Sequence, residues 1–523
     1  MNNRTDPASA QVLVGLAAAS TVGSLFAAQA RISPAKVAIE DGDIRLTYAA
    51  LNDAANRAAN MLARCGVVRG ERVAVLSENR AEYLVLQIAC AKLGAILACQ
   101  NWRLSAGELQ HCLDLVSPRA VIVSPRHAAK MRDVAIGDAA TVEFGPEWEI
   151  ALRAAADRDP TVAVSPEDAL FILYTSGTTG LPKAAVLSHR AELARTLVMP
   201  QDLGMRGGDT NLCWPPLYHM GGTEPALHSL LTGGRVIVQD GFDPARIAET
   251  LMRESFGWLS IMPGAVGALI AALEKNNMPP QGIGACGVMP DLVAPHEIAR
   301  VTALLGAPYC NTFGATETGT APLSGNRIAP GVVPNDLAKS PSPASEIRLV
   351  DETDNDVPDG EIGELAMRGP TLFSGYWNDD AATAADFRGG WFHMGDLFRR
   401  RTDGRYDYVD RSKYLIKSGG ENIYPAEIER VLLADPRVVD AVVVRRKDER
   451  WGEVPVALVV TRDANLDPGE LSQQCRAALA GYKQPKEIRL VGAERIARST
   501  TGKIQRRALE DWVAAGNAGL GAR

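Results

Sequence analysis

The sequence predicts an α/β protein in which a large N-terminal domain is followed by a small α+β C-terminal domain. Strand-like apolar runs alternate with helix-length segments rich in Ala, Leu and Glu. From residue 347 to 410 the pattern changes to short strands broken by Gly and Asp, and 523 residues exceed one ordinary core. We expect two α/β subdomains and a small β-subdomain in residues 1–410, with the C-terminal domain in 411–523.

The individual elements are read from hydrophobic spacing. In the segment 51–64, apolar residues recur at helical spacing before Gly66 ends the run. In the C-terminal domain we expect helices near 426–433 and 469–480, and strands at 438–444 and 456–460. The clearest strands of the large domain are predicted at 72–76, 120–123, 169–174 and 235–239.

Composition and charge exclude several classes of protein. A hydrophobic content of 46% and a charged content of 22% are typical of soluble globular proteins. The formal net charge of −7 argues against a nucleic-acid binder. The region from Arg411 onward is basic, with 20 Lys+Arg against 15 Asp+Glu, which suits either a polyanionic ligand between the domains or a solvated charged face.

Cysteine usage and hydropathy bear on location. The eight cysteines form no Cys-x-x-Cys pair, which is typical of reduced thiols in a cytoplasmic protein. The apolar stretch 12–19 is far shorter than the roughly 20 residues that span a bilayer. We therefore expect no transmembrane segment.

The strand predicted at 169–174 runs directly into a loop, 175–183, that carries four hydroxyls, two glycines and a terminal lysine. Glycine lets backbone N–H groups turn toward an anion, hydroxyls donate hydrogen bonds and lysine adds positive charge, so the loop is suited to phosphate. It lacks the Walker spacing. On composition alone, a plain turn remains the more common explanation.

The same loop, Thr-Ser-Gly-Thr-Thr-Gly-Leu-Pro-Lys, resembles the phosphate loop of the adenylate-forming (AMP-binding) superfamily, and the resemblance recurs in order from residue 46 to 507. That superfamily comprises acyl- and aryl-CoA synthetases, adenylation domains of peptide synthetases and beetle luciferases. The sequence departs from the pattern at Ala184 (usually Gly), Phe313 (usually Tyr) and Ala497 (usually Pro). The resemblance implies ATP, Mg²⁺ and coenzyme A as the cofactors or co-substrates. It implies that the phosphates contact Thr175, Ser176, Gly177, Thr178, Thr179, Gly180 and Lys183.

The resemblance also implies roles for the segment 311–319. Phe313 would stack on adenine, Thr316 would bond the α-phosphate and Glu317 would ligate Mg²⁺, a cation that prefers oxygen ligands. By itself a Thr-Glu pair is a common helix start, and Gly395-Asp396 a common turn. The further nucleotide contacts that it implies are Thr312, Gly314, Asp396, Tyr408 and Arg411, with Asp396 and Arg411 on the ribose.

The segment 214–222 resembles the part of the family that separates the acyl pocket from the nucleotide, which makes His219 a candidate gate with a catalytic role. A lone histidine in an apolar stretch is otherwise more often a core residue. The pocket residues are small, which we interpret as room for a bulky acyl group, and no arginine falls among them. Glu224 is an unexplained acid nearby. The residues implied for the acyl pocket are Tyr218, His219, Ala285, Gly287, Val288, Gly314 and Gly319.

The resemblance implies that the C-terminal domain is mobile, with a hinge at Lys413, and that it carries a catalytic lysine, Lys503. Negative charge accumulates as the carboxylate attacks the α-phosphorus and pyrophosphate leaves, and a lysine brought in by domain closure would stabilise it. Any lone surface lysine is otherwise usually solvated. For coenzyme A the resemblance implies contacts with Lys417, Gly419, Gly420, Trp451 and Tyr482.

These inferences predict an ATP-dependent acid:CoA ligase that forms an acyl-CoA through an acyl-adenylate, with release of pyrophosphate and AMP. The substrate is expected to be a medium- or long-chain fatty, alicyclic, aromatic or sterol-derived acid. The alternatives are a stand-alone adenylating enzyme that loads a carrier protein and a catalytically silent nucleotide-binding relative. The expected partners are the acid, ATP and CoA, with no nucleic acid; a homodimer remains open.

Overall fold

The computed structural model describes residues 18–176, 181–276, 279–463, 465–498 and 504–516. Gly177, Thr178, Thr179, Gly180 and Lys503 lie outside the described residues. The described α-helices are α1 Val22–Ile32, α2 Tyr48–Arg64, α3 Ala81–Leu93, α4 Ala106–Val116, α5 Ala128–Met131, α6 Pro146–Ala154, α7 His189–Asp202, α8 Met220–Leu231, α9 Pro244–Arg253, α10 Val266–Glu274, α11 Pro295–Leu305, α12 Asp380–Asp386, α13 Pro425–Leu433, α14 Pro468–Ala478 and α15 Arg506–Ala514.

The strands of the first α/β subdomains and of the hairpins between them are β1 Val37–Asp41, β2 Ile44–Thr47, β3 Arg72–Leu76, β4 Ile96–Gln100, β5 Ala120–Val123, β6 Ala140–Glu143, β7 Ala169–Ser176, β8 Pro182–Ser188, β9 Thr210–Cys213, β10 Arg235–Val238, β11 Phe256–Leu259, β12 Ile283–Cys286, β13 Tyr309–Cys310, β14 Gly314–Ala315, β15 Gly319–Pro322 and β16 Arg327–Ile328. The later strands are β17 Glu346–Val350, β18 Ile362–Arg368, β19 Phe392–Arg400, β20 Tyr406–Arg411, β21 Ile416–Ser418, β22 Glu421–Ile423, β23 Val438–Asp448, β24 Gly452–Thr461 and β25 Glu487–Leu490.

A six-stranded sheet of order β6-β5-β3-β4-β7-β8 forms one α/β subdomain. Its neighbouring strands are parallel except for β7 and β8, which are antiparallel. The inner strands are apolar along their length because helices cover both faces of a parallel sheet. α3 is buried at every position except Glu82, as expected of a helix held between layers.

An eight-stranded sheet of order β16-β13-β12-β11-β9-β10-β1-β2 forms the other α/β subdomain. Its central strands are parallel, and antiparallel pairs close both edges. The carboxyl ends of parallel strands meet at one edge, which is where open α/β sheets bind ligands. The segments that follow β9, β12 and β13 carry the predicted gate, acyl-pocket and adenine residues, so the topology brings them to the same edge.

Two smaller units follow. β17, β18, β19 and β20 form a four-stranded antiparallel sheet, and a five-stranded sheet of order β22-β21-β24-β23, with β25 parallel to β24, is covered by α13, α14 and α15. The predicted fold class is confirmed. The first of these sheets ends at Arg411 and the second begins at Ile416, while the domain division at residue 410 stays a prediction.

Buried charges hold the start of the last unit together. The Arg506 guanidinium donates to both carboxylate oxygens of Glu429, at 2.7 and 3.0 Å. The backbone N–H of Ala426 donates to Asp410 at 2.8 Å, and burial raises the pKa of Asp410 to about 6. Arg462 pairs with Glu297 of α11 at 2.6 Å and so joins the small unit to the large one.

The predicted elements agree with the structure at their cores and differ at their ends. β3 and β5 have the predicted bounds of 72–76 and 120–123. α2 begins three residues before the predicted start because the Thr47 side chain accepts a hydrogen bond from the N–H of Ala50 and caps the helix there. Of the described helices, none combines the length and apolar character that a bilayer span demands.

His189, the first residue of α7, links two helices of the core. Its side chain is fully buried, and its Nδ1 accepts a hydrogen bond from the N–H of Val22 in α1 at 3.2 Å. Burial lowers the pKa of His189 from 6.5 to about 4. The folded protein therefore requires the neutral imidazole.

We predict that His189 weakens the fold in mild acid. Between pH 6.5 and 4 the unfolded chain binds a proton that the folded protein excludes, so the free energy of unfolding falls as the pH falls through this window, in total by on the order of 3 kcal/mol from this group. His189→Gln keeps an acceptor for Val22 but does not titrate. Its thermal midpoint should fall less steeply with acid than that of the wild type.

The measurement is the thermal midpoint as a function of pH for both proteins. At about pH 8, where imidazole is neutral in both states, the difference between them gives the cost of the substitution itself. Parallel pH dependences for the two proteins would contradict the role assigned to His189.

Candidate active site

The described ends of the loop 175–183 belong to the antiparallel strands β7 and β8. Thr175 pairs with Lys183 and Ser176 with Pro182 across these antiparallel strands. The two ends of the loop therefore lie side by side, and Lys183 is held on a strand rather than on the turn.

Lys183 and Glu317 meet at a single tyrosine. The Lys183 ammonium lies 4.5 Å from the centroid of the Tyr376 ring, within cation–π range. The Tyr376 hydroxyl lies 3.1 Å from the Glu317 carboxylate and 3.1 Å from that of Asp386. Because a phenol has one proton, Tyr376 donates to one of the two carboxylates at a time. Burial raises the pKa of Asp386.

Sequence reasoning did not identify Tyr376 or Asp386. Tyr376 is placed by backbone pairing: Val186 donates to the carbonyl of Gly375 at 3.0 Å, and Trp377 donates to the carbonyl of Ala184 at 2.8 Å. The segment 374–377 thus continues the sheet alongside β8, next to Lys183. No local pattern in the sequence indicates this pairing, because the two segments are almost 190 residues apart.

Thr316 and Glu317 lie at the turn of the tight hairpin formed by β14 and β15. A Cβ at Gly314 would lie 1.9 Å from the carbonyl oxygen of Gly319, so only glycine allows the two strands to approach this closely. Within the turn, Thr318 Oγ1 accepts from the N–H of Ala315 at 2.9 Å. The Glu317 carbonyl accepts from the N–H of Phe373 at 2.9 Å. The backbone of the predicted metal ligand is therefore held on both sides.

An aromatic cluster surrounds the predicted adenine position. The Phe313 ring lies edge-on to Phe398 at 4.8 Å and tilted against Tyr408 at 5.6 Å, between ring centroids. Thr312 Oγ1 accepts from the N–H of Met289 at 3.0 Å. Phe313 is only partly buried, which leaves ring surface for a stacked purine.

The two predicted ribose residues are direct cross-strand partners. Asp396 on β19 is paired in register with Arg411 on β20, and Arg411 Nε donates to Asp396 at 3.0 Å. The neighbouring carboxylate raises the pKa of Arg411. Asp396 is 1% exposed, so its carboxylate is held in a buried position beside the guanidinium. A carboxylate held in this way accepts hydrogen bonds from vicinal hydroxyls.

His219 is the N-cap of α8. Its Nδ1 accepts from the N–H of Gly221 at 3.1 Å, which in the neutral ring places the proton on Nε2. The preceding Tyr218 meets Trp102 edge-on, with 6.4 Å between ring centroids. An orientated histidine next to aromatic surface is compatible with a gate, and that role remains a prediction.

The interpretation that small pocket residues leave room for a bulky acyl group is wrong at the glycines. A Cβ at Gly287 would lie 2.1 Å from the Tyr309 ring, and one at Gly319 would lie 3.0 Å from the Arg195 side chain. Ala285 is fully buried opposite its strand partner Trp258. Protein atoms already occupy the space that side chains at Gly287 and Gly319 would need, and one of the neighbouring side chains is that of Arg195. Val288, by contrast, is partly exposed.

Two of the predicted CoA residues are in contact. Gly419 has φ +60°, its N–H donates to the Trp451 carbonyl at 2.8 Å, and a Cβ there would lie 2.7 Å from the indole ring. A Cβ at Gly420 would meet no atom within 4 Å. Gly419 therefore packs under Trp451, whereas Gly420 borders open space. The Trp451 and Tyr482 side chains are 38% and 45% exposed.

The remaining positions in the small unit are held by local contacts. The N–H of Lys417 donates to the Glu453 carboxylate at 3.0 Å. The hinge residue Lys413 lies in a short 3₁₀ turn, Ser412–Tyr414, and its carbonyl accepts from the Arg445 guanidinium. These contacts do not test a role in CoA binding or in domain rotation.

The donor set suits Mg²⁺. Among the described residues, no group of three or more His, Cys, Asp or Glu side chains is arranged to hold a metal. Glu317 and Asp386 instead place two carboxylates on either side of the Tyr376 hydroxyl. Mg²⁺ in nucleotide enzymes is commonly held by one or two carboxylates together with phosphate oxygens, and Glu317 fits that use.

Comparison with known proteins identifies the family to which the chain belongs. The model of the AMP-binding enzyme family matches residues 26–377, and that of the AMP-binding enzyme C-terminal domain matches residues 427–503. The chain is 34% identical over 496 residues to feruloyl-CoA synthase of Amycolatopsis sp, covering 92% of this chain and 97% of that protein. It is 35% identical over 510 residues to indoleacetate–CoA ligase of Aromatoleum aromaticum, covering 93% and 96%.

Among solved structures, the chain resembles o-succinylbenzoate CoA synthetase of Bacillus subtilis in complex with its acyl-adenylate intermediate. The TM-score is 0.81 at 27% identity, over 93% of this chain and 98% of that one. The match extends through both the large and the small units. The chain therefore belongs to the AMP-binding enzyme family, as an ATP-dependent acid:CoA ligase that proceeds through an acyl-adenylate and uses ATP, Mg²⁺ and CoA.

Proposed function

We propose that this ligase activates an aromatic carboxylic acid. The observation that carries the proposal is that both relatives compared above are named for aromatic acids, ferulic and indoleacetic. The aromatic pair Trp102 and Tyr218 beside His219 supports it, because a ring substrate packs favourably edge-on or offset against such side chains. Among the acids that the sequence left open, the aromatic class is the one favoured.

We further propose that the adenylation site is built from the residues predicted for ATP. Lys183 and the hydroxyl-rich loop hold the phosphates, Thr316 contacts the α-phosphate, Phe313 stacks on adenine, and Asp396 with Arg411 binds the ribose. Glu317 ligates Mg²⁺, which when bound offsets charge on the triphosphate. We add Tyr376 to this set because its hydroxyl is hydrogen-bonded to the Glu317 carboxylate and its ring makes a cation–π contact with Lys183.

For the thioester half-reaction we propose the division into residues 1–410 and 411–523, with the hinge at Lys413 and Lys503 as the lysine of adenylation. CoA would pass Gly420, whose Cβ position borders open space, and meet Trp451 and Tyr482. The two exposed rings support this assignment because CoA carries a purine that stacks on aromatic side chains.

We propose a cytoplasmic location. All eight cysteines are free, and seven of them are buried. Burial raises the pKa of most of these thiols, for example that of Cys99 to about 12, so they are poor nucleophiles. This thiol chemistry is typical of proteins from a reducing compartment.

We predict that aromatic acids are preferred substrates. A panel of aromatic, medium- and long-chain fatty, alicyclic and sterol-derived acids, scored by pyrophosphate release with Mg²⁺ and ATP, should give its highest kcat/KM with an aromatic acid. Thioester formation with free CoA should follow with the same acid. Turnover confined to fatty or sterol-derived acids would contradict the substrate class, and loading of a carrier protein without any CoA thioester would contradict the acceptor.

We predict that Lys503→Ala separates the half-reactions. Loss of a charge that stabilises the adenylation transition state should reduce pyrophosphate release by about 100-fold or more, while thioester formation from supplied acyl-AMP and CoA should fall far less. Single-turnover measurements of each half-reaction check this. An equal loss in both would show that Lys503 has another role.

We predict that Tyr376→Phe weakens the use of Mg²⁺·ATP. The substitution keeps the ring beneath Lys183 but leaves Glu317 and Asp386 without their shared donor, a loss that corresponds to about 10-fold or more in kcat/KM for Mg²⁺·ATP. Tyr406→Phe, at a buried tyrosine of β20, is the matched control and should leave kcat/KM for Mg²⁺·ATP unchanged. Indistinguishable kinetics for the two variants would remove Tyr376 from the site.

A further inference from the structure

One face of α7 lies against the hairpin that carries Thr316 and Glu317. Arg195, Met199 and Asp202 are spaced by four and three residues, which places them on the same face of the helix. All three are buried, Arg195 at 1% exposure and Asp202 at 0%. Two ionisable groups on a buried helix face are costly unless each has a defined partner.

Arg195 uses each of its guanidinium nitrogens. Nη2 donates to the Thr316 carbonyl at 3.0 Å, Nε donates to the Thr371 carbonyl at 3.0 Å, and Nη1 donates to the Glu224 carboxylate at 2.7 Å. The Thr371 contact continues toward Glu317, because the N–H of Phe373, two residues on, donates to the Glu317 carbonyl. One side chain thus reaches the backbone on both sides of the proposed metal ligand.

The charge of Arg195 is balanced locally. Glu224 of α8, the unexplained acid of the sequence, is its ion-pair partner, and Glu192 lies 3.8 Å away one turn earlier on α7. Both carboxylates are 2% exposed, and Glu192 Oε1 accepts no hydrogen bond from any described residue. Burial raises the pKa of both Glu192 and Glu224, and the charge of Glu224 raises that of Glu192 further, so protonation of one carboxyl is favoured and a single carboxylate balances Arg195.

The second end of the hairpin is held by the same helix. Asp202 Oδ2 accepts from Thr320 Oγ1 at 2.8 Å and from Ser342 Oγ at 3.0 Å. Arg195 and Asp202 therefore contact the hairpin at its turn and along β15. A buried ion pair contributes little net stability compared with apolar residues of similar volume, so stability alone does not account for the arrangement.

We propose that Arg195 is a positioning residue for adenylation, which fixes the Thr316 carbonyl and the Thr371–Phe373 backbone so that Thr316 and Glu317 are in place before Mg²⁺·ATP binds. The inference rests on the roles proposed above for Thr316 and Glu317. The fork of a guanidinium is needed because three acceptors in different directions must be met at once, which a lysine ammonium on a flexible stem does less well. Arg195 itself, fully buried, does not touch the nucleotide.

The test is ATP–pyrophosphate exchange with Arg195→Met and Arg195→Lys. Loss of both carbonyl contacts in Arg195→Met should lower kcat/KM for Mg²⁺·ATP by about 10- to 100-fold, as expected when buried acceptors lose their donor. The KM for the acid should change much less, and Arg195→Lys should recover part of the loss. Lys92→Met is the matched control: Lys92 is a buried cation paired with Asp159 at 2.6 Å, and it contacts none of the proposed site residues.

A second variant covers the case in which Arg195→Met does not fold because Glu224 is left unpaired. Arg195→Met/Glu224→Gln removes both charges and should keep the thermal midpoint close to that of the wild type while retaining the Mg²⁺·ATP defect. A folded double variant with wild-type kcat/KM for Mg²⁺·ATP overturns the proposal. The proposal is also overturned if Arg195→Met lowers kcat/KM equally for the acid and for Mg²⁺·ATP and if Lys92→Met produces the same losses.

Glu317→Gln in the same assay separates this inference from the proposed function. If Glu317→Gln loses Mg²⁺-dependent exchange and the Arg195 variants do not, only the positioning role fails. If Glu317→Gln exchanges as the wild type does, the proposed site itself is wrong, and the positioning role fails with it.

Discussion

The close approach of two backbone segments at the β14–β15 hairpin is the constraint on which the rest of the site depends. Gly314 lies so near the Gly319 carbonyl that a methyl group would overlap it. This approach makes the turn tight enough to present Thr316 and Glu317 side by side at its tip. Phe373, Thr318 and Arg195 add hydrogen bonds to this turn. The close approach of its two strands, however, depends on glycine.

Around this hairpin the site is assembled from parts of the chain that share no local pattern. The ends of parallel strands bring the residues predicted for the gate, the acyl pocket and the adenine to one edge of the eight-stranded sheet. The strands that flank the predicted phosphate loop belong to the other α/β sheet, and Asp396 and Arg411 belong to the antiparallel sheet. Tyr376 joins two of these parts, because its ring contacts Lys183 and its hydroxyl reaches Glu317.

Several of the buried charges in this protein form ion pairs. Arg195 with Glu224, Asp396 with Arg411 and Arg506 with Glu429 are all ion pairs with at least one buried partner. Such pairs fix geometry because a displaced charge would be left without a partner in a medium of low polarity. The residues predicted for the acyl pocket follow a different constraint. Glycine is required at Gly287 and Gly319 because the side chains of Tyr309 and Arg195 pack against them.

The sequence by itself determined the fold class, the order of the elements and the enzyme family, because alternating apolar periodicity and short glycine-rich strings are local properties. Roles for individual site residues remain predictions. Only the tertiary structure decided that Tyr376 and Asp386 flank Glu317, that Arg195 and Glu224 form an ion pair beneath Thr316, and that the pocket glycines face protein atoms. Each of these contacts joins residues that are distant in the chain or is directed by a side chain whose orientation depends on packing. Hydrophobic spacing carries no information on such contacts.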